Sequence, residues 1–318
     1  MTLQAAPSRA IPREPTRPLG VARPRWGERV IVALLFSCGL LSVATTLAIV
    51  LSLLRPVLDF FGEVSLGEFF GGRDWAPLFN PPSFGVQPLL LATFTTTMWA
   101  LLICIPFGLG SAIYLSEYAS PRLRRVLKPI LEILAGIPTV VYGFFALTLV
   151  SPLLQDVWFF TERKPDLFNA LGPGLVMGIM ILPTVASLSE DAMSAVPQGL
   201  RAGAYALGST KLQVSTRVVV PAAISGIVAS FVLAISRAVG ETMIMLIAAG
   251  NNPNFTLDPR EPVQTMTAFI GATGIGDVPQ GTTGYLTIFA VGATLFAITL
   301  VINLIAIRLV RRFREVYE

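Results

Sequence analysis

Six long runs of apolar residues constrain this 318-residue chain more than any other feature. Most of these runs exceed the roughly 20 residues that a helix needs to cross the hydrocarbon core of a bilayer. The composition agrees, because 53% of the residues are hydrophobic and only 13% are charged, whereas a soluble domain carries about a quarter. We therefore predict an all-α polytopic membrane protein with six transmembrane helices.

The segments between the apolar runs set the organisation of the chain. Residues 1–29 are rich in proline and arginine, which predicts a disordered basic tail. Residues 30–54 form the predicted first transmembrane helix, residues 55–88 an extracytoplasmic loop and residues 311–318 a short C-terminus. Five further helices are predicted within residues 89–310, at Leu89–Leu115, Val126–Leu154, Ala170–Ser189, Val218–Gly250 and Tyr285–Val310.

Several predicted spans have features that would distort a straight helix. Pro106, Pro138 and Pro183 each remove a backbone hydrogen bond, so we expect kinks in the second, third and fourth spans. The fifth span, Val218–Gly250, is longer than a bilayer requires and is expected to tilt or to project from the membrane. The outer loop 55–88 is rich in phenylalanine, which indicates either an interfacial structure or a docking surface for an external partner.

The distribution of lysine and arginine predicts the orientation. Most of the 23 basic residues lie in the N-terminal tail, at the C-terminus, near residues 116–128 and in residues 190–217. Because positively charged loops stay in the cytoplasm, both termini are predicted to be cytoplasmic. The net charge of +4 therefore reports topology and does not indicate a nucleic-acid partner. The opposite loops hold only Arg55, Arg73, Arg163, Lys164 and Arg260.

Missing residue types exclude several kinds of chemistry. The chain has no histidine, which removes the commonest general base and metal ligand. Its two cysteines, Cys38 and Cys104, lie in separate apolar runs and are typical of buried hydrophobic positions. The chain also lacks a G-x-x-x-x-G-K-[ST] phosphate loop. We predict neither a metal site nor catalytic residues, and any ATP hydrolysis would require a partner.

The fifth apolar run contains charged residues, in the sequence Ser236-Arg237-Ala238-Val239-Gly240-Glu241-Thr242. An arginine inside a membrane span costs several kcal/mol, so Arg237 must face the bundle interior or water. Glu241 lies four residues later, on the same face of a continuous helix, where it could pair with Arg237. The pair could be purely structural, or the guanidinium could bind an oxyanion, whose geometry it matches with two hydrogen bonds.

The loop 190–217 contains a short helical pattern at residues 199–207, followed by Gly208 as a candidate C-cap. From its spacing alone, this segment could be an ordinary interfacial connector or a narrow helix that docks into another protein. Its sequence, Ala202-Gly203-Ala204, then Gly208, then Val218-x-Val220-Pro221, resembles the cytoplasmic coupling motif of binding-protein-dependent ABC importer permeases. That motif starts with a Glu-Ala-Ala triplet, from which Ala202 and Gly203 depart.

Other segments are similar to a narrower group. SRAVGETM at 236–243, AGIPTVVYGFFAL at 135–147, NNPNF at 251–255, EPVQTMTAFI at 261–270 and TIFAVGATLFAITLVINL at 287–304 closely resemble the PstC-type permease of the bacterial phosphate importer. The likeness extends from about residue 85 to the end of the chain. It implies a type I ABC importer permease bundle in the bacterial cytoplasmic membrane.

The resemblance also implies partners and residue roles. The chain would be one of two different permease subunits of an ATP-driven phosphate importer, embedded in lipid. Two cytoplasmic ATPase subunits would bind ATP and Mg²⁺, with no cofactor in this chain, and an extracytoplasmic protein would deliver phosphate. Residues Ser236, Arg237, Glu241 and Thr242 would lie on the substrate pathway, and Ala202, Gly203, Ala204, Gly208 and Pro221 would contact an ATPase subunit.

Two alternatives remain at this point. The first is an ABC permease for another oxyanion, such as sulfate or molybdate, or for another small solute. The second is a standalone channel, secondary carrier or membrane enzyme, although the chain shows no internal inverted repeat and no catalytic cluster. Competition in uptake assays separates the substrates, and activity without ATPase partners would identify a standalone protein.

Overall fold

The computed structural model describes residues 26–159 and 161–312. Helices account for nearly all of the regular structure in this part of the chain, which confirms the predicted all-α class. A two-stranded antiparallel ladder pairs β1 (Trp75–Ala76) with β2 (Ser83–Phe84). The helices are α1 (Trp26–Glu63), α2 (Leu66–Gly71), α3 (Gln87–Ile113), α4 (Pro121–Ala135), α5 (Thr139–Phe145), α6 (Ser151–Asp156), α7 (Leu171–Ser194), α8 (Gln198–Ala206), α9 (Lys211–Val214), α10 (Val220–Ala222), α11 (Ile224–Val239), α12 (Met243–Ala248), α13 (Met266–Ile275) and α14 (Thr283–Arg312).

Five helical segments of the described chain are long and apolar enough to cross a membrane, and a bent helix pair supplies a sixth if it counts as one span. This agrees with the six predicted transmembrane helices. Turns of π-helix extend α3 and join α5 to α6, so that each of these segments runs on as one span. The segments are Trp26–Glu63, Gln87–Tyr118, Thr139–Asp156, Leu171–Ser194 and Thr283–Arg308, with Lys211–Ala222 and Ile224–Val239 as the bent pair.

The chain divides into two units, residues 1–52 and residues 53–318. The described part of the first unit is the N-terminal portion of α1, in which no side chain is buried within the protein. This helix begins at Trp26, inside the predicted tail, whose residues 1–25 lie outside the described residues. At the other end of the chain, α14 continues to Arg312, and the remainder of the predicted C-terminus lies outside them.

The third predicted span, Val126–Leu154, is not one helix. Helix α4 ends at Ala135 with Gly136 as its C-cap, and α5 begins after Pro138. Pro138 therefore separates two helices instead of kinking one, because proline has no N–H to donate and fits the start of a helix. The apolar residues of α4 and α5 form one continuous run in the sequence and conceal this break.

The fifth predicted span, Val218–Gly250, is also broken and is not a single tilted helix. The chain bends by 72° between Ala222 and Ile224. It breaks again after Val239, where Gly240 caps α11, and α12 starts at Met243. Irregular backbone of this kind is tolerated at membrane depth only where protein or a water-filled cavity surrounds it.

The core of the second unit is centred on α3 and α7, which cross through small residues. A Cβ placed on Gly178 of α7 would lie 2.7 Å from the carbonyl oxygen of Ala100 in α3. Likewise, a Cβ on Gly108 would lie 2.8 Å from the side chain of Val185. Close backbone approach through small residues is a common way for membrane helices to associate.

The phenylalanine-rich loop forms a packed cluster. Phe60, Phe69, Trp75 and Phe84 are buried, and Trp75 contacts Phe269 of α13 edge to face, with ring centroids 4.9 Å apart. These four rings therefore pack against one another and against α13. The ladder of β1 and β2 folds the loop back upon itself, and the location of the loop at the membrane interface stays a prediction.

Candidate functional site

Arg237 lies in the last turn of α11, where a cation is favoured by the helix dipole. The residue is only partly buried, and its Nη1 lies 3.4 Å from Oγ1 of Thr184 on α7. This is a long hydrogen bond. Within the described part of the chain, no carboxylate forms an ion pair with Arg237, so most of its donors remain available.

The predicted pairing of Arg237 with Glu241 is not observed. Because α11 ends at Val239, Glu241 lies beyond the helix and the four-residue spacing no longer places the two side chains together. Oε1 of Glu241 instead accepts hydrogen bonds from the backbone N–H groups of Met243 and Ile244, at 3.1 and 3.2 Å. The buried carboxylate therefore caps the first turn of α12, whose N–H groups have no partners within the helix.

The other two predicted pathway residues occupy different positions. Ser236 donates a hydrogen bond to Oδ1 of Asn303 in α14 at 3.0 Å. Thr242 lies in the break between α11 and α12 with Glu241, whose carbonyl oxygen accepts a hydrogen bond from Thr267 at 2.6 Å. The structure thus brings Arg237 and Thr184 together and assigns Ser236 and Glu241 to helix contacts.

The predicted coupling segment folds as the short helix α8, which ends at Ala206. Gly208 has a φ of 80°, a left-handed conformation that glycine adopts without steric cost. The N–H of Gly208 donates to the carbonyl of Tyr205, and the N–H of Ser209 donates to that of Ala204. This pair of bonds is a Schellman motif, so the structure confirms Gly208 as the residue that closes this helix.

The small residues of α8 leave part of its surface open. Ala202 and Gly203 are exposed and Ala204 is half-buried. Pro221 is exposed at the start of α10, and its missing N–H is tolerated in a first helical turn. A docking helix requires such accessible positions, and their role toward an ATPase subunit stays a prediction.

Arg201, which the sequence analysis did not identify, fixes α8 to the membrane helices. Its buried guanidinium donates to the carbonyls of Met193 and Val196, at the C-terminal end of α7. It also forms an ion pair of 3.1 Å with Glu117, in the π-helical turn that extends α3. The sequence feature that could have identified this contact is an arginine directly before the triplet Ala202-Gly203-Ala204.

A second charged cluster was also missed. Glu190 of α7 is fully buried and pairs with Arg124 and with Lys128 of α4, the latter at 2.9 Å. Lys128 also lies 2.6 Å from Asp191, and this hydrogen bond, with a smaller contribution from Glu190, raises the pKa of the Lys128 ammonium. The cluster attaches α4 to the end of α7. The sequence feature that could have predicted this cluster is the pair of acidic residues, Glu190 and Asp191, at the end of an apolar run.

Known proteins support the arrangement of the helices. Two solved transporters share the fold. One is a bacterial ABC transporter involved in the import of the acidic polysaccharide alginate, with a TM-score of 0.63 over 91% of this chain and 99% of that one. The other is the MetNI methionine ABC transporter, with a TM-score of 0.53 over 73% and 95%. Sequence identities of 16% and 19% make these likenesses of fold alone. They confirm the predicted type I ABC importer permease bundle.

Closer sequence relatives are permease subunits. The chain is 33% identical over 287 residues to the probable ABC transporter permease YqgH of Bacillus subtilis, covering 90% of this chain and 89% of that protein. It is 32% identical over 263 residues to the phosphate transport system permease PstC of Mesorhizobium japonicum, covering 75% and 76%. These matches confirm the resemblance to PstC-type permeases and a role in transport.

The sequence family that matches is described as the binding-protein-dependent transport system inner membrane component, and its profile covers residues 104–315. This range contains Arg237, the break after α11 and the whole of α8. The profile covers well over half of the chain, and the spans, the fold and the relatives agree with it. The chain therefore belongs to the family of inner-membrane components of binding-protein-dependent transport systems.

Proposed function

We propose that this chain is a permease subunit of an ATP-driven importer of inorganic phosphate. The observation that carries the proposal is the free state of the Arg237 guanidinium, which has one long hydrogen bond and no carboxylate partner in the described residues. An unneutralised cation inside a membrane bundle is costly and is usually retained for a function. A guanidinium can offer two parallel hydrogen bonds to a phosphate oxygen pair.

The position of Glu241 supports an anion near Arg237. Its carboxylate is occupied by the N–H groups at the start of α12 and leaves the charge of Arg237 uncompensated. An anionic solute that reaches the guanidinium would therefore gain an attraction that a neighbouring carboxylate would otherwise cancel. The PstC relatives, whose names specify phosphate transport, make phosphate the first candidate among oxyanions.

Coupling to ATP hydrolysis would pass from α8 to Arg237 through a short stretch of chain. Helix α8 is followed by α9, the π-helical turn Ser215–Val219 and α10, and then by the 72° bend that leads into α11. A partner that moves α8 would therefore displace the base of the helix that carries Arg237. In this proposal the partner is a cytoplasmic ATPase subunit, a second permease completes the pathway, and an external binding protein supplies phosphate.

The same proposal assigns the orientation. Helix α8 and the basic residues of α4 both contact the end of α7, and in this proposal they lie on one side of the membrane. The excess of lysine and arginine there supports a cytoplasmic location for that side. Both chain termini are then cytoplasmic, and the aromatic cluster around Trp75 faces the extracytoplasmic side.

Uptake of radiolabelled phosphate at low concentration tests the proposal, in cells that lack this chain and other phosphate importers. The wild-type chain should restore uptake that excess sulfate does not inhibit. Arg237→Gln should abolish it, while the matched control Arg55→Gln, at an exposed position in α1, should not. Inhibition by sulfate would instead assign another oxyanion, and near-normal uptake by Arg237→Gln would leave Arg237 a structural residue.

A further inference from the structure

Asn303 carries an amide side chain within the apolar part of α14, which is long enough to cross a membrane. Between Leu286 and Ile307, the other residues with polar side chains are Thr287, Thr294 and Thr299. Each of these three hydroxyls donates to a carbonyl of its own helix, three or four residues earlier. A threonine bonded in this way needs no other partner inside a membrane. Within this part of α14, Asn303 is therefore the polar side chain that bonds to a different helix.

The contact of Asn303 with α11 uses only one half of the amide. Its Oδ1 accepts a hydrogen bond from the hydroxyl of Ser236 at 3.0 Å. The amide nitrogen carries two further N–H donors, and neither has an acceptor among the residues that the structure describes. The side chain is exposed at the surface of this chain. Because an unbonded N–H group is costly in contact with lipid, the nitrogen must face protein, water or a solute.

The partner of Asn303 belongs to the turn of α11 that carries the free guanidinium. Ser236 directly precedes Arg237, and both residues lie in the last turn of that helix. Leu233 and Gly240, three residues before and four residues after Ser236, are exposed and continue its face of the helix. The amide of Asn303 thus lies at an open surface beside Arg237. Both side chains present N–H donors that have no acceptor of opposite charge in the described part of the chain.

We propose that Asn303 is a second contact residue for the transported anion and donates to it from the amide nitrogen. This inference rests on the proposed function, since an anion at Arg237 is its premise. A guanidinium and an amide nitrogen together offer only donors, which complements the acceptor oxygens of an oxyanion. Ser236 is a positioning residue in this arrangement. Its hydroxyl engages Oδ1, which would repel the anion, and thereby turns the nitrogen toward the solute.

Reaction with water-soluble thiol reagents tests whether position 303 faces water. The chain is first freed of its own thiols by Cys38→Ala/Cys104→Ala, and Asn303→Cys is then introduced into the assembled transporter in membranes. The new thiol should react, because the reactive thiolate forms only where water reaches it. Val301→Cys is the matched control. Val301 is 53% exposed on the same helix, but two residues turn its side chain by about 200°, and Val301→Cys should remain unmodified.

Thiol reagents of opposite charge test whether position 303 lies in the field of Arg237. The anionic sulfonatoethyl methanethiosulfonate should modify Asn303→Cys faster than the cationic trimethylammonioethyl reagent does. Arg237→Gln should lower the ratio of the two rates by about fivefold or more, because a unit charge a few ångströms away changes a local ion concentration by that factor even in water. This ratio does not depend on which anion is transported. Phosphate should slow the modification, and sulfate should not.

Uptake kinetics test the N–H donors themselves. Asn303→Asp keeps an oxygen for Ser236 but replaces both donors by a negative charge, and Asn303→Leu removes the hydrogen-bonding group at a similar size. In transporter assembled in normal amounts, both variants should raise the KM for phosphate roughly tenfold or more, as the loss of a hydrogen bond to a charged group does. Thr299→Val is the control, because it removes a hydroxyl that bonds within α14, and its KM should not change.

Several results would overturn the proposal. An unreactive Asn303→Cys during transport would place Asn303 against lipid or another helix, and a rate ratio that Arg237→Gln leaves unchanged would separate it from the Arg237 site. Equal modification of Val301→Cys would mean that water surrounds α14 without selecting position 303. A normal KM in Asn303→Asp would limit Asn303 to joining α14 and α11. Protection by sulfate instead of phosphate would overturn only the choice of phosphate and would support Asn303 as a contact residue for the anion.

Discussion

The guanidinium of Arg201 lies 3.1 Å from the carboxylate of Glu117, and both side chains are buried, with 10% and 6% of their surfaces exposed. The same guanidinium donates to carbonyls at the end of α7. One residue of α8 is thus bonded to the ends of two membrane helices, α3 and α7. Removing one partner of a buried ion pair costs about 3–5 kcal/mol, because the other charge is left uncompensated.

Arg201→Gln should therefore loosen α8 from the membrane helices and weaken the link between ATP hydrolysis and transport. In the assembled transporter, we expect more ATP hydrolysed per solute imported, together with a lower melting temperature. Arg217→Gln is the control, since Arg217 is an exposed arginine in the same segment. If Arg201→Gln lowers hydrolysis and uptake in equal proportion, Arg201 has only a structural role.

Glu241 should act through its oxygen and not through its charge. Glu241→Gln keeps an acceptor for the N–H groups of Met243 and Ile244, so we expect nearly normal stability and uptake. Glu241→Ala removes the acceptor and should cost about 1 kcal/mol, as the loss of a helix cap does. Thermal unfolding and uptake assays measure both. Equal damage from the two substitutions would show that the negative charge itself is needed, as a counter-ion to Arg237 would be.

The crossing of α3 and α7 should not tolerate a methyl group on Gly178. Gly178→Ala brings a Cβ to within 2.7 Å of the Ala100 carbonyl oxygen, and we expect a loss of about 1–3 kcal/mol in unfolding free energy from overpacking. Gly110→Ala is matched, since an added Cβ there meets no atom within 4 Å. That control should be neutral or stabilising by up to about 1 kcal/mol. Equal stabilities would mean that the helices move apart at little cost.

Gly203, inside α8, and Gly208, beyond its C-terminal end, should respond differently to substitution by alanine. Gly208→Ala places a side chain at a φ of 80° and should cost about 1–2 kcal/mol. Gly203→Ala lies inside the helix with open space around it and should stabilise the helix. Hydrogen exchange at Ser209, whose amide donates to Ala204, reports the opening of the motif. Faster exchange is expected only in Gly208→Ala.

Acid should release the ion pairs on the loop before α13. A hydrogen bond from Arg260 lowers the pKa of Asp258, and one from Arg163 lowers the pKa of Glu261. Folded-state pKa values below the ordinary value of about 4 mean that these pairs stabilise the loop at neutral pH. Their contribution is lost as the pH falls below that value through the folded-state pKa values.

Hydrogen exchange at the amides of Asp166 and Ala170, which donate to carbonyls of residues 259–261, measures this release. After correction for the intrinsic rate, their exchange should accelerate as the pH falls below about 4. Arg163→Gln should move the onset to higher pH, because Glu261 then loses its main partner. An unchanged onset in that variant would show that the ion pair does not hold the loop.

The membrane class, the number of spans and the cap at Gly208 could all be predicted from the chain. Each depends on a local property: the length of an apolar run or the conformational freedom of one glycine. The family could be predicted from the short motifs around α8 and Arg237. Helix boundaries were harder to predict from the sequence, because apolar residues continue through the breaks at Pro138 and after Val239.

The contacts of the charged side chains were decided by the tertiary structure. The spacing of Arg237 and Glu241 predicts a pair only if the helix is continuous, and Gly240 ends it between them. Arg201 and Glu117 lie 84 residues apart in the chain, so no local pattern could join them. A charge in a low-dielectric interior takes whichever partner folding brings near. The sequence alone therefore determined the membrane class, the number of spans and the charges that accompany them. Only the tertiary structure decided where the helices break, and the packing of α3, α7 and α8 decided which of those charges were paired and which was left free.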